Sequence, residues 1–210
     1  MHRFNLSGIH NESYIEDQLR LLQNNIYNGD SASFTRMYGL LFKRLYNFSF
    51  SIVRVPETAT EVVEDVFLKL WLQREKLDSI QNISVYLYVA VKNGSLNRLA
   101  QKANQWQHTS FDELVPEMAA IDNDPLRLMI TKEMLEKVNA AIENLPPRCK
   151  MIFKLVREDG LRYKEVAEIL NISINTIDVQ MATAVKRISE AVGVSKKQPF
   201  SFFSRKNKKK

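Results

Sequence analysis

The sequence predicts an all-α protein of two small helical domains joined by a flexible acidic linker, and three observations carry that prediction. Among 210 residues there are six Gly and six Pro, while Leu, Ile, Val, Met, Glu, Lys and Arg run through most of the chain, a balance that favours helices over strands. Apolar residues recur at helical spacing in two separate blocks. Between the blocks, Gln105 to Pro125 reads QWQHTSFDELVPEMAAIDNDP, with five acids, two prolines and no Lys or Arg.

The elements follow in order. An N-terminal segment, residues 1–30, holds a short helix near Glu12 to Tyr27, and the Gly29-Asp30-Ser31 step stops it and caps the next. The first domain, residues 31–104, is expected to contain helices over 31–54, 57–76 and 84–103, separated by turn signals at Val55-Pro56-Glu57 and Asp78 to Ser84. After the linker, residues 105–125, helical periodicity resumes at Leu126 with Leu128, Leu135, Val138 and Ile142 on one stripe. It stops at Pro146 and Pro147, which cannot continue a helix. The second domain, residues 126–192, continues with a helix from Arg148 to Glu158, ended by Asp159-Gly160, and then with Tyr163 to Ile188. The last segment, residues 193–210, is expected to be a solvated basic tail, with a phosphate or membrane-surface contact as the sharper alternative.

The formal charge of +6 comes from that tail: Lys196 to Lys210 hold seven Lys/Arg and no acid, leaving 23 basic against 24 acidic residues elsewhere. Any claim of nucleic-acid binding must therefore rest on local patches. No run of about 18 apolar residues and no secretion signal is present, and the single Cys149 has no internal disulfide partner, so a cytoplasmic protein is expected. His2, His10 and His108 are scattered with no neighbouring Cys, and there is no Gly-rich phosphate loop, paired-carboxylate signature or His/Cys constellation. Neither a metal, a cofactor, a small-molecule substrate nor an enzymatic site is expected.

The stretch YKEVAEILNISINTIDVQMATAVKRI has the spacing of a helix-turn-helix. Ala167 allows close approach of the first helix, Asn171 tolerates the left-handed turn, and Ile177 locks the second helix down. Ser173 caps that helix, and Ile174, Ile177, Met181, Ala184, Val185 and Ile188 form its core stripe. Thr176, Val179, Thr183 and Lys186 then point outward, flanked by Asn175, Gln180 and Arg187. Amides and hydroxyls suit base edges, Val179 a thymine methyl, and Lys186 and Arg187 phosphates. Asp178 suits the helix dipole or a cytosine amino group and repels phosphate. Lys150, Lys154, Arg157, Arg162 and Lys164 lie just upstream as further phosphate ligands. A plain helical hairpin with an incidentally exposed valine is the alternative.

In TEVVEDVFLKLWLQRE, placing Ala59, Val63, Val66, Phe67 and Leu70 in the core leaves Glu61, Glu64 and Asp65 mixed with Leu68, Trp71 and Leu72 on the other face. An acidic rim around apolar area fits a docking surface for a basic partner, the alternative being burial of Trp71 and Leu68 by a neighbouring helix. Together, ATEVVEDVFLKLW, SVYLYVAVKNGSLNRL and ENLPPRCKMIFKLVREDGLRYKEVAEILNISINTIDVQMATAVKRI resemble, in order and spacing, the extracytoplasmic-function (ECF) sigma factors of bacterial RNA polymerase. VAVKN and NTIDVQMATA are similar to the iron-uptake-like branch common in Bacteroidetes.

The resemblance implies a sigma region 2 domain, a sigma region 4 helix-turn-helix domain, and roles for single positions. Glu61, Glu64, Asp65, Phe67, Leu68 and Trp71 match the segment that docks on a coiled coil of the core polymerase. Tyr86, Tyr88, Lys92, Asn93, Asn97, Arg98 and Lys102 match the stretch that melts the downstream (-10) promoter element. Asn175, Thr176, Asp178, Val179, Gln180, Thr183, Lys186 and Arg187 match the helix that reads the upstream (-35) element. Where the family often has several arginines after the asparagine, this chain has Arg98 and Lys102 among Leu99, Ala100, Gln101 and Ala103. The implied partners are core RNA polymerase, promoter DNA and a membrane-anchored anti-sigma factor, and the implied function is transcription initiation without an active site of its own. A stand-alone dimeric helix-turn-helix regulator is the competing reading.

Overall fold

The computed structural model describes residues 8–105 and 129–193; the expected linker beyond Gln105 and the tail beyond Gly193 lie outside the described residues, as do Leu128 and the side chains of Lys102 and Leu135. Eight α-helices and one 3-10 turn make up the described regular structure, with no strand among these residues. They are α1 (Gly8–Tyr27), α2 (Ser31–Val53), α3 (Pro56–Leu72), α4 (Ile83–Gln105), α5 (Met129–Glu143), α6 (Pro147–Arg157), α7 (Tyr163–Leu170) and α8 (Ile174–Ala191).

Local chemistry sets the helix ends. Gly29 takes a positive φ of 88° to end α1, and Asp30 accepts from the Ala32 and Ser33 amides to start α2. Pro56 and Pro147 sit in the first turns of α3 and α6, where a missing N–H costs nothing. Asn82 starts α4 by accepting the Val85 amide at 3.0 Å. The expected 57–76 helix is corrected: α3 ends at Leu72 and a 3-10 turn covers Arg74–Ser79. That turn drives Leu77 into the core, where the buried Gln23 amide of α1 donates to the carbonyls of Leu77 at 2.6 Å and Ile80 at 2.8 Å. A straight helix would leave Leu77 outside and Gln23 unsatisfied.

Helices α1 to α4 enclose one core of Leu22, Ile26, Met37, Leu45, Phe67, Leu70 and Leu87. Ser49 and Ser95 face each other inside it, Oγ to Oγ at 2.9 Å, a buried polar pair joining α2 to α4. Gly94 lets α4 lie close to α3: a Cβ there would stand 3.1 Å from Val62 Cγ1. Helices α5 to α8 pack around Cys149, Ile152, Val166, Ile169, Ile177 and Met181. The two groups do not stand apart, because α7 packs against α4.

Candidate functional site

The helix-turn-helix is built as the spacing predicts. Asn171 adopts the left-handed conformation (φ 54°, ψ 52°), the buried Ala167 offers its carbonyl to the amide of Ile172 at 3.0 Å, and Ile177 is fully enclosed. Ser173 Oγ accepts the Thr176 amide at 3.1 Å, fixing the start of α8. Val179 stands 54% exposed beside Asn175, Asp178, Lys186 and Arg187, with Thr176, Gln180 and Thr183 half-buried along the same helix. The Thr183 hydroxyl donates back to the Val179 carbonyl at 2.9 Å, which leaves its oxygen free only to accept. Ile174, expected in the core stripe, is exposed: at the first position of α8 its side chain leans back past the helix end.

The upstream basic residues are placed differently from the expectation. Lys150 and Lys154 both reach Glu143, at 3.1 and 2.8 Å, and Arg162 reaches Glu16 at 2.8 Å. Burial acts to raise the Glu143 pKa, and the hydrogen bonds and positive charges of Lys154 and Lys150 together outweigh it, holding the carboxyl below its ordinary value. Each of these three cations is thus paired with a carboxylate in this structure, Lys150 and Lys154 in part-buried pairs and Arg162 in an exposed one.

On α3, Leu68 and Leu72 are 56% and 67% exposed and lie among the exposed Glu61, Glu64 and Asp65. Trp71 is half-buried, its ring 5.1 Å from that of Phe34, with the Arg74 guanidinium 5.1 Å from its centroid. Phe67 is a core residue at 2% exposure, packed edge-on to Phe34 and Tyr38, and offers no surface to a partner. The single step from Phe67 to its neighbour Leu68 is a turn of about 100° around the helix and decides between core and surface.

The residues expected to act together on α4 divide between two faces. Tyr86, Asn93, Asn97 and Arg98 line a cleft of about 500 Å³ between α3 and α4, together with Asp65, Lys69, Gly94 and Gln101. Arg98 bridges to Asp65 at 2.9 Å and Glu61 at 3.7 Å across its mouth. Tyr88 and Lys92 point elsewhere. Tyr88, 1% exposed, stacks edge-on against Phe48 and donates its hydroxyl to Asp159 Oδ2 at 2.7 Å; Lys92 donates to the Ile169 carbonyl at 2.7 Å. Burial pushes the Asp159 carboxyl up to about 6, against the lowering effects of the Tyr88 hydrogen bond and of Arg44, and burial with Asp159 nearby raises Tyr88. Sequence reasoning missed Arg44, Asp159, Lys69 and Gln101. Gln101 was signalled by its position one turn beyond Asn97, but nothing in the pattern announces Asp159 except its place in a turn.

Among the described residues no His/Cys/Asp/Glu cluster could hold a metal ion, and no helix is long and apolar enough to cross a membrane.

Comparison with known proteins agrees with this geometry. Residues 36–105 match the sigma-70 region 2 family and residues 135–188 the sigma-70 region 4 family, together well over half of the chain. The chain is 27% identical over 186 residues to the ECF RNA polymerase sigma-E factor of Escherichia coli (strain K12), covering 82% of this chain and 93% of that one. It is 21% identical over 185 residues to the ECF RNA polymerase sigma factor SigK of Mycolicibacterium vanbaalenii, covering 85% and 91%. Two solved structures share the fold: CnrH in complex with the cytosolic domain of CnrY (TM-score 0.51, 14% identity, 84% of this chain and 97% of that chain) and RpoE in complex with the anti-sigma factor NepR from Bartonella quintana (TM-score 0.52, 21% identity, 77% and 98%). With both sigma regions present in order on one helical chain, the protein belongs to the sigma-70 family and is an ECF sigma factor, a subunit that binds core RNA polymerase and directs it to a two-part promoter.

Proposed function

We propose that α3 docks this sigma factor on core polymerase, that the α3–α4 cleft receives an unstacked base of the downstream element, and that α8 reads the upstream element. The observation that carries the reading is the cleft: it gathers Tyr86, Asn93, Asn97 and Arg98 into one concave site next to the acidic docking face. Unstacking a base costs about a few kcal/mol, and stacking on an aromatic ring with amides at hand returns about 1–3 kcal/mol per base. Tyr86, exposed at the cleft, supplies the ring, and Asn93 and Asn97 the amides. The exposed pairs from Arg98 to Asp65 and Glu61 are worth about 0–1 kcal/mol, so a phosphate or a basic partner displaces them readily. On α3 the contact is made by Glu61, Glu64, Asp65, Leu68 and the open edge of Trp71, joined by Leu72, with Phe67 supporting from beneath.

The chain acts in the cytoplasm, where core polymerase is, without catalysis of its own. An anti-sigma factor, membrane-anchored, holds it in check; the anti-sigma factor NepR bound to RpoE supports the inhibitor, and the bound cytosolic domain of CnrY supports its anchoring. The segments VAVKN and NTIDVQMATA support placement in the iron-uptake-like branch of Bacteroidetes. A stand-alone dimeric regulator leaves the docking face and the cleft without a purpose.

The test is a pull-down of core polymerase with the Leu68→Glu/Leu72→Glu variant, followed by transcription on genomic fragments of the source organism with mapping of start sites. Both leucines are solvent-facing, so the thermal midpoint should hold while core binding falls at least tenfold. Undiminished binding would remove α3 from the docking role.

A further inference from the structure

A helix that reads duplex DNA works against a dense anion, one phosphate charge per about 1.7 Å of helix axis, and attraction to those phosphates supplies much of the affinity. The helix-turn-helix has no positive surplus to offer. On α8, Lys186 and Arg187 are matched by Asp178 and Glu190, with Lys186 Nζ 4.0 Å from Glu190. On α7, Lys164 stands against Glu165 and Glu168. Just upstream, Lys150 and Lys154 are held in part-buried pairs with Glu143. Asn175, Thr176 and Val179 suit base edges, which carry discrimination and leave the sequence-independent attraction to be found elsewhere.

That charge follows α8 directly in the chain. Gly193 takes a positive φ of 75° and donates its amide to the Glu190 carbonyl at 3.2 Å, which ends the helix. Residues 194–210 then read VSKKQPFSFFSRKNKKK, with seven Lys/Arg and no acid. From Arg187 to Gly193 is a rise of about 9 Å at helical spacing, so the tail starts beside the exposed cations of α8. Drawn out, these residues reach about 55 Å, the length of about 16 base pairs at 3.4 Å per step. An anionic bilayer shares part of this chemistry, since it suits Phe200, Phe202 and Phe203 together with the cations. Placement favours DNA, because the tail leaves the end of the helix assigned to the upstream element.

We infer that the tail, Lys196 to Lys210, is a phosphate-binding arm: it lies along the duplex flanking the upstream element and supplies the sequence-independent affinity that α7 and α8 lack. Sequence choice stays with α8. The inference rests on the reading of α8 as the helix that meets the upstream element.

The test reconstitutes core polymerase with the wild-type chain, with a chain whose tail Lys and Arg are all changed to Gln, and with a chain stopped after Gly193. Thermal midpoints equal to wild type show that both variants are folded. The probes are a short fluorescent duplex carrying the upstream element of a mapped start site and a second duplex with that element scrambled. Between about 50 and 200 mM salt, each lost phosphate contact makes log affinity against log salt shallower by about 0.9. Both variants should be shallower than wild type by several such steps and at least tenfold weaker at the low-salt end, on both probes, with the ratio between probes unchanged. Equal slopes for wild type and both variants overturn the arm. Asn175→Ala/Val179→Ala, run in the same series, should shrink the ratio between probes and leave the slope alone. A preserved ratio would count against α8 as the reader and not against the arm, whose readout is the slope. Vesicles of phosphatidylglycerol and phosphatidylcholine are the remaining probe. Capture of the wild-type chain that is lost in the Gln variant and in Phe200→Ser/Phe202→Ser/Phe203→Ser, with DNA slopes equal, assigns the tail to a lipid surface and overturns the inference.

Discussion

At the scale of the residue, Asp159 shows how one side chain couples burial to protonation. Its ordinary pKa of 3.8 rises to about 6 because burial penalises the charged form more than Tyr88 and Arg44 favour it. Between those two values the packed chain binds the proton and the unfolded chain does not, so this group's contribution to stability grows as pH falls through about 6 and is complete near 3.8. It is lost again as pH rises. Asp159→Asn keeps an acceptor for the Tyr88 hydroxyl and removes the titration. The difference in thermal midpoint between wild type and Asp159→Asn should therefore change between about pH 4 and about pH 7 in favour of wild type at the acid end. A pH-independent difference would mean the carboxyl stays solvated.

At the scale of the element, Ser49 and Ser95 specify how α2 meets α4. Either Ser→Ala change leaves a buried hydroxyl without its partner, at a cost of about 1–3 kcal/mol, whereas changing both removes the unsatisfied group and should cost less than the sum. Urea unfolding of the two single variants and the double variant measures the difference. Helix positions were largely legible because caps and breakers act locally: Asp30, Asn171, Ser173 and the Pro146-Pro147 pair needed no tertiary information. The end of α3 was not, since it depends on Gln23, more than fifty residues away, reaching the carbonyls of Leu77 and Ile80. The outward face of α8 followed from helical period, as Val179 shows. The α4 set rests on a linear motif, and period alone separates Tyr86 from Tyr88 by about 200°. Both cannot line one cleft.

At the scale of the whole molecule, the packing of α7 on α4 was beyond the reach of sequence, because an acidic linker signals a tether and carries no statement of where the tethered halves rest. Its endurance depends on which contacts matter. In about 1 M salt the Debye length shrinks to about 3 Å, which screens the exposed Arg162–Glu16 pair and spares the sheltered Tyr88–Asp159 and Lys92–Ile169 bonds. Solution scattering should then give nearly the same radius of gyration at low and high salt. A large increase would assign the closure to its rim.

Asn82 ties these scales together. Its carbonyl oxygen holds the first turn of α4, its amide holds Glu165, and the other oxygen of Glu165 accepts the Arg162 amide at the first turn of α7. Two helices nearly eighty residues apart in sequence thus share one chain of end groups, and fraying of either start loosens the hydrogen-bond acceptor that the other relies on. The amides at the beginnings of α4 and α7 are therefore expected to exchange together, and Asn82→Ala to speed exchange at both; unchanged exchange at α7 in that variant would uncouple them.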